Sequence, residues 1–229
     1  MSSKYNAANK VEWCTPDALH TAAKDNDTEL LKALIDSGEL EVDFRDKIDW
    51  TPLMRAANAN HIECVKMLLE AGANPNAAKY DRDDTALSLA AERGSTEILE
   101  TLLNAGADME QAAGFNETPL MCALHWLNED AFEFLISKGA NVDHQSTDGY
   151  TALMICADGA HDTFAYALLR AGADTKIKNK YGETAEDIAI KRADKLEGSA
   201  KVLEHIRGAS RGMRQNSLRN YVRRRGPKR

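Results

Sequence analysis

The side chains that could perform chemistry are numerous in this chain, but their spacing does not indicate a catalytic or metal-binding site. There are six histidines and four cysteines, and neither set has the closed ligand spacing of a zinc site. The sequence lacks the phosphate-binding pattern G-x-x-x-x-G-K-[ST] and the zinc pattern H-E-x-x-H. Residues 208–212 read G-x-S-x-G, but that pattern indicates a nucleophile only at a strand-to-helix turn. Carboxylates abound, but most fall in turns and on solvent-facing positions, so no acid–base pair can be singled out. We therefore expect no catalytic site, no metal and no cofactor.

The feature that organises the chain is a repeat of about 33 residues. In five places a helix-starting residue is followed 21 positions later by glycine, the pairs being Asp17/Gly38, Thr51/Gly72, Thr85/Gly106, Thr118/Gly139 and Thr151/Gly172. Thr184 opens a sixth copy, and successive starts lie 34, 34, 33, 33 and 33 residues apart. We number these copies repeats one to six. A tandem array offers a long ordered surface, which favours binding over catalysis.

Each repeat carries the signals of two helices and a turn. In repeat two, Thr51 can cap a helix and Pro52 suits its first position. A second apolar run ends at Gly72, and glycine tolerates the left-handed conformation that closes a helix. Just before each start stands a Gly, Asn or Asp that we expect to adopt a positive φ. These turn residues are Asp49, Asp83, Asn116, Gly149 and Gly182.

The chain resembles the ankyrin repeat family, which combines a turn and two antiparallel helices in about 33 residues, with a T-P-L-H-x-A-A helix and a G-A-D-V-N ending. The matching segments are Leu19–Ala23, Thr118–Leu120, Gly72–Asn76 and Gly139–Asp143. The resemblance implies an all-α, ankyrin-type solenoid of about six helix-turn-helix repeats with short hairpin-like tips. It predicts a lead-in at residues 1–16, an array at residues 17–208 and a basic tail at residues 209–229.

The histidines and cysteines have structural explanations within this register. The resemblance gives hydrogen-bonding roles to His20, His61 and His161. Three cysteines, Cys64, Cys122 and Cys156, fall at positions where most sister repeats carry apolar residues such as Ile, Leu or Ala. We expect them to be small buried residues in a reducing compartment.

Two repeats depart from the pattern. In repeat four, Leu124 replaces the second alanine, and His125 and Trp126 follow where a short turn is usual. In repeat six, Glu186 replaces the core leucine. A terminal repeat faces water on one side, so a polar substitution there is expected in a cap.

The family resemblance also predicts where a partner binds, because partners of ankyrin arrays commonly meet the tips and the exposed side of the first helix. Aromatic residues concentrate at these positions: Trp50, Phe115, Trp126, Tyr150 and Tyr181, with Tyr80 adjacent. Acidic residues accompany them, among them Asp81, Asp84, Glu117 and Asp148. Large aromatics suit binding hot spots, and an acidic groove favours a basic peptide or helix. The alternative is that some aromatics cover neighbouring repeats while the acids serve solubility.

Charge is divided between the array and the tail. Residues 209–229 hold eight basic residues and no acid, which leaves 21 basic against 36 acidic residues in 1–208. The basic cluster at the end of the tail consists of Arg223, Arg224, Arg225, Lys228 and Arg229. It resembles a nuclear-import signal, but it could equally contact nucleic-acid phosphates or an anionic membrane. A third possibility is that the tail folds back and masks the acidic groove.

These features predict a non-catalytic interaction module or adaptor that holds a protein partner on its concave, aromatic and acidic side. The alternatives are a nucleic-acid-associated protein that binds through the tail, and a regulatory subunit of an enzyme. A polar start and the lack of a long apolar run predict neither a signal peptide nor a membrane span. We expect a monomer in the cytoplasm or the nucleus.

Overall fold

The computed structural model describes residues 14–15, 17–193, 195–196 and 198–224, and for residues 212–224 it describes the backbone alone. The chain divides into two compact units, residues 1–140 and residues 141–229. Regular structure in the described residues is α-helical apart from one 3-10 turn and two isolated β-bridges. The predicted all-α fold is therefore confirmed. Among these helices, none is both long enough and apolar enough to cross a membrane.

The N-terminal unit contains, in its described residues, a helix pair for each of repeats one to four. The pairs are α1 (Ala18–Asp25) with α2 (Thr28–Ser37), α3 (Pro52–Asn58) with α4 (Ile62–Glu70), α5 (Ala86–Arg93) with α6 (Thr96–Asn104), and α7 (Pro119–His125) with α8 (Glu129–Ser137). The 3-10 turn, Gly114–Asn116, forms the tip before α7. The two helices of each pair pack together, and each first helix packs against the first helix of the next repeat.

The C-terminal unit contains the helix pairs of repeats five and six in its described residues. They are α9 (Ala152–Gly159) with α10 (Asp162–Arg170), and α11 (Ala185–Arg192) with α12 (Ser199–Arg224). Helix α9 packs on α10 and α11, and α12 packs on α10 and α11. The unit therefore repeats the arrangement seen in the N-terminal unit.

Threonine side chains begin most first helices, as the sequence predicts. In four repeats the hydroxyl accepts a hydrogen bond from the backbone N–H three residues later; these caps are Thr51, Thr85, Thr151 and Thr184. Thr118 and Asp17 make no such bond. Asp17 has a φ of −81° and a ψ of −9°, which is helical, whereas a side-chain cap normally needs an extended backbone.

The turn residues adopt the positive φ angles predicted from the sequence. The φ angles are 66°, 54°, 59°, 78° and 77° at Asp49, Asp83, Asn116, Gly149 and Gly182. Neighbouring tips also hydrogen-bond within each unit. The Arg45 guanidinium donates to the Ala78 carbonyl at 2.9 Å, and the Lys180 N–H donates to the Asp148 carbonyl at 3.0 Å. The tips therefore present ordered backbone rather than isolated loops.

Small residues let the first helices approach closely, and repeat four is the exception. Ala56 and Ala57 of α3 are completely buried, and so are Ala90 and Ala91 of α5. Leu124 of α7 is also completely buried, so the larger side chain is accommodated inside the core. The predicted burial of three cysteines is confirmed for Cys64, Cys122 and Cys156.

The last helix crosses the predicted boundary between array and tail. Helix α12 runs without interruption from Ser199 to Arg224, although the repeat pattern ends near residue 208. Beyond that position, the hydroxyls of Ser210 and Thr175 are 3.2 Å apart. In the predicted cap of repeat six, Glu186 accepts a hydrogen bond from Arg207 at 2.8 Å.

Candidate functional site

The predicted aromatic residues differ in how much of each side chain reaches solvent. Exposure is 93% for Tyr80, 77% for Phe115, 69% for Tyr181 and 60% for Trp126. Trp50 and Tyr150 are half-buried. We call the tips together with the C-terminal ends of the first helices the tip surface, and we treat the tip surface of each unit separately. Exposed aromatic area of this kind is what a binding surface supplies.

Trp50 lies within a compact intramolecular cluster. The guanidinium carbon of Arg55 lies 4.7 Å from the centre of the Trp50 ring, and Arg55 also forms an ion pair with Asp46. Burial raises the pKa of Asp46, but hydrogen bonds from Arg55 and from the Trp50 and Ile48 backbone outweigh it, so the pKa lies below its ordinary value. Trp50 therefore has an arginine of the same chain over its ring, and that arginine is paired with a carboxylate.

A cavity of about 330 Å³ adjoins this cluster. Its lining mixes both signs of charge and consists of Asp17, His20, Thr21, Lys24, Asp46, Lys47, Ile48 and Arg55. His20 is buried and its Nε2 lies 3.0 Å from the Trp50 carbonyl oxygen. This contact agrees with the structural role that the sequence predicts for His20.

Side chains near the ends of the first helices form a ladder between repeats. The donor is eight residues after a repeat's start, and the acceptor is seven residues after the start of the preceding repeat. In the N-terminal unit, Arg93 donates to the Asn58 amide oxygen at 2.9 Å, and the Trp126 indole donates to the Glu92 carboxylate. In the C-terminal unit, Arg192 donates to Asp158 at 2.8 Å. We call this set of contacts the donor ladder.

Asp84 and Glu92 form an acidic pair beside the ladder. Burial raises the pKa of both carboxyls, and the charge of Asp84 raises the pKa of Glu92 further. Arg82 is 3.6 Å from Asp84 and acts against the shift. Asp84 was expected on the exposed groove, but only 6% of it is exposed. The Arg82 side chain lies beside both Asp84 and the tip residue Gly114.

Glu117 pairs with His125 within repeat four. Glu117 Oε1 lies 3.0 Å from His125 Nε2. This hydrogen bond raises the pKa of His125 although burial opposes the charged form. The thiol of Cys122 lies beneath these groups, where burial and the nearby carboxylates of Glu92, Glu117 and Asp84 raise its pKa. A thiol held neutral in this way is a poor nucleophile.

The remaining predicted acids make local contacts. Asp81 pairs with Lys79 at 2.7 Å, and the hydrogen bond from Lys79 lowers the pKa of Asp81. In the C-terminal unit the side chain of Asp148 is exposed. Burial, followed by the charge of Asp158, raises the pKa of Tyr150. Of the four predicted acids, Asp81, Asp84 and Glu117 therefore have a charged or hydrogen-bonding side chain beside them in their own tip surface.

Sequence reasoning placed Arg82 and Glu92 among the partner-facing positions of repeat three, but it did not predict their contacts with Asp84 and Trp126. Both are central to the acidic pair, and both were visible in the register as residues near a tip or at a helix end. Aligning the residues seven and eight positions after each start would have found the ladder. That alignment shows Trp126 where repeats three and six carry Arg93 and Arg192.

The basic tail is described only in part. Arg223 and Arg224 are the last two residues of α12, in the part where the backbone alone is described. Arg225, Lys228 and Arg229 lie outside the described residues. In the described part of the chain, no group of three or more His, Cys, Asp or Glu is arranged to hold a metal ion.

Comparison with known proteins supports the repeat assignment along most of the chain. The family model for ankyrin repeats matches residues 3–79, 76–146 and 128–210. A curated ankyrin repeat-containing protein of Treponema pallidum (strain Nichols) is 44% identical over 61 residues, which are 26% of this chain and 20% of that protein. The chain therefore matches only about a fifth of that relative's length.

Two solved structures extend the likeness to the fold. An ankyrin repeat domain from Acinetobacter baumannii AYE matches with a TM-score of 0.76 and 31% identity, over 86% of this chain and 99% of that one. A chain in the complex of a Bdellovibrio bacteriovorus predatory endopeptidase with an immunity protein matches with a TM-score of 0.71 and 30% identity. That match covers 82% of this chain and 96% of the other. The protein described here belongs to the ankyrin repeat family.

Proposed function

We propose that this protein is a non-catalytic interaction module or adaptor that holds a protein partner on the tip surface. Ankyrin repeats are in general modules for protein–protein interaction. The observation that carries the proposal for this chain is the exposure of Tyr80, Phe115 and Trp126 on the tip surface of the N-terminal unit. Each presents a large apolar area with few rotatable bonds, so its burial by a partner costs little side-chain entropy.

The charge of the same surface favours a basic partner. Residues 1–208 hold 36 acidic and 21 basic residues, and the tip surface contains the acidic pair of Asp84 and Glu92. Acids around aromatic anchors steer a basic peptide or helix toward the surface and disfavour acidic competitors. We therefore propose that the partner presents a basic, partly apolar segment.

An enzyme is a specific candidate for the partner. The structure of the Bdellovibrio endopeptidase with an immunity protein contains a chain similar to this one. That likeness supports the second form of the proposal, in which this protein is the regulatory subunit of an enzyme. This form differs from the adaptor only in the identity of the bound protein.

We further propose that the protein acts as a monomer in the cytoplasm or the nucleus. All four cysteines are free, which is typical of proteins in a reducing compartment.

Affinity capture tests the proposed surface. The baits are the full chain, the Trp50→Ala/Trp126→Ala double variant and a control, Tyr166→Ala. Tyr166 is 51% exposed on α10, which is a second helix and lies outside the tip surface. We expect the double variant to lose the partner, because it lacks two aromatic anchors, while circular dichroism shows unchanged helical content. A folded double variant that still captures every partner would contradict the proposal.

The basic tail supports a second candidate function, binding to nucleic acid. Its test is a full-length variant in which Arg223, Arg224, Arg225, Lys228 and Arg229 are all replaced by glutamine. Substitution is preferable to truncation after residue 208, because truncation removes Ser210 and its contact with Thr175.

We expect this glutamine variant to retain its protein partner at physiological salt, because aromatic anchoring does not use the tail. The nucleic-acid function would be favoured if the glutamine variant loses the partner and the full chain loses it on nuclease treatment. That binding would also weaken steeply with salt as counterions are released from the phosphates. A higher partner affinity in the variant would instead support a tail that masks the acidic groove.

A further inference from the structure

The donor ladder contains a substitution that changes the charge of the tip surface. Arg93 and Arg192 each give the preceding repeat a cationic donor. At the equivalent place in repeat four, Trp126 gives Glu92 a neutral indole donor. Glu92 thus receives a hydrogen bond from the ladder but no positive charge.

Nearby cations do not compensate for this missing charge. Arg82 and Arg93 both lie within electrostatic range of Glu92. Arg82, however, is 3.6 Å from Asp84, and Arg93 donates to the Asn58 amide at 2.9 Å. Asp84 also lies close enough to raise the pKa of Glu92, and the second cation near Asp84, Lys79, pairs with Asp81 at 2.7 Å.

Repeat two contains an arginine that contacts both a tryptophan ring and a carboxylate. At repeat two, the Arg55 guanidinium lies 4.7 Å from the centre of the Trp50 ring and pairs with Asp46. Repeat four has Cys122 at the position four residues after its start, where repeat two has Arg55. Trp126 of repeat four therefore contacts a carboxylate of repeat three, and repeat four has no arginine at the position of Arg55.

We propose that Glu92 and Trp126 form a subsite for an arginine side chain of the protein partner. This inference rests on the proposed function and names the chemistry that its tip surface recognises. The Trp126 ring is 60% exposed, so its face is available for a cation–π contact. Guanidinium is planar and weakly hydrated, and it can stack on an indole while donating to a carboxylate. Leu127, which is 52% exposed, provides apolar surface beside the subsite.

The test uses the full chain and small probes of defined charge. N-acetyl-arginine amide is titrated while the indole N–H signal of Trp126 is followed by NMR, and Trp126→Phe identifies that signal among the three tryptophans. N-acetyl-citrulline amide has nearly the same shape but no charge. We expect a saturable shift with the arginine probe and at least about tenfold weaker binding of the citrulline probe, since a charged hydrogen bond is lost.

Two variants separate charge from shape. Glu92→Gln keeps a hydrogen-bond acceptor for the indole but removes the negative charge, and we expect at least about tenfold weaker binding of the arginine probe. Trp126→Arg places in repeat four the residue that repeats three and six carry in the ladder, and its own guanidinium should exclude the probe. Because this variant lacks the indole, its binding is followed at the backbone N–H of Leu127. The control is Glu133→Gln, an exposed acid on α8, which should bind the probe like the unmodified chain.

Several outcomes would overturn the inference. Equal affinity for the arginine and citrulline probes, or unchanged binding in Glu92→Gln, would remove the charged subsite. Tighter binding of N-acetyl-lysine amide than of the arginine probe would remove the assignment to arginine. If the probes fail while the Trp50→Ala/Trp126→Ala variant still loses its partner, the proposed function stands and only this subsite falls.

Discussion

Replacing Leu124 with alanine is expected to destabilise the N-terminal unit by about 2–5 kcal/mol. The change restores the residue that repeats two and three carry at this position, Ala57 and Ala91, so a comparison of repeats alone would predict a neutral or favourable effect. In the structure, however, Leu124 is completely buried within α7. Removing its three terminal carbons leaves a cavity that rigid neighbouring helices can close only in part.

Urea denaturation followed by circular dichroism measures this effect. The matched control is Leu127→Ala, because Leu127 is the next leucine along the chain and is 52% exposed. We expect the control to change the free energy of unfolding by no more than about 0.5 kcal/mol. A Leu124→Ala variant as stable as the unmodified chain would show that repeat four can collapse onto alanine without loss.

Replacing Gly149 with alanine is the second substitution with a large expected effect. Gly149 has a φ of +78°, and an added Cβ would lie 2.9 Å from the Lys180 backbone nitrogen. The backbone of the next tip must therefore shift, which would weaken or break the 3.0 Å hydrogen bond from the Lys180 N–H to the Asp148 carbonyl. We expect a cost of about 1–2 kcal/mol for the left-handed backbone and about 0.5–1.5 kcal/mol for the lost hydrogen bond.

Gly182→Ala is the matched control for this substitution. Gly182 is the turn residue of the following repeat, has a φ of +77° and has no atom within 4 Å of an added Cβ. It should show the conformational cost alone, again about 1–2 kcal/mol. Thermal unfolding of both variants isolates the close approach at Gly149. Equal melting temperatures would contradict the contact between the two tips.

Local signals in the sequence were enough to predict the repeat structure. The positive φ of Asp49 and Asp83 follows from the need for a tight turn, and a threonine such as Thr51 caps a helix through its own backbone neighbours. These features depend on a few adjacent residues, so they can be predicted without knowing what packs against them. Asp17 was the exception, because a helical backbone at this position prevents a side-chain cap.

Contacts between repeats could not be predicted in the same way. Asp84 lies beside Arg82, which is also close to the neighbouring tip at Gly114, about 30 residues away in the sequence. The hydrogen bond between Trp126 and Glu92 also joins two repeats. Such contacts require the spacing of the stacked helices, which no single repeat encodes. The candidate site was therefore predicted as a set of positions but not as a set of partners.

The end of the array shows a similar limit. Loss of the repeat pattern near residue 208 predicted a separate tail, whereas α12 continues to Arg224. A repeat pattern reports packing between repeats, so it does not mark the residue at which the last helix ends. In this segment the helix therefore extends further along the chain than the repeat pattern does.

The central claim is that the tip surface binds a protein partner through its aromatic residues. Isothermal titration of the captured partner against the full chain, the Trp50→Ala/Trp126→Ala variant and the Tyr166→Ala control tests it most directly. Two lost hot-spot residues should weaken binding by at least about a hundredfold, and the control should bind within about twofold of the full chain. An unchanged dissociation constant in the folded double variant would contradict the claim.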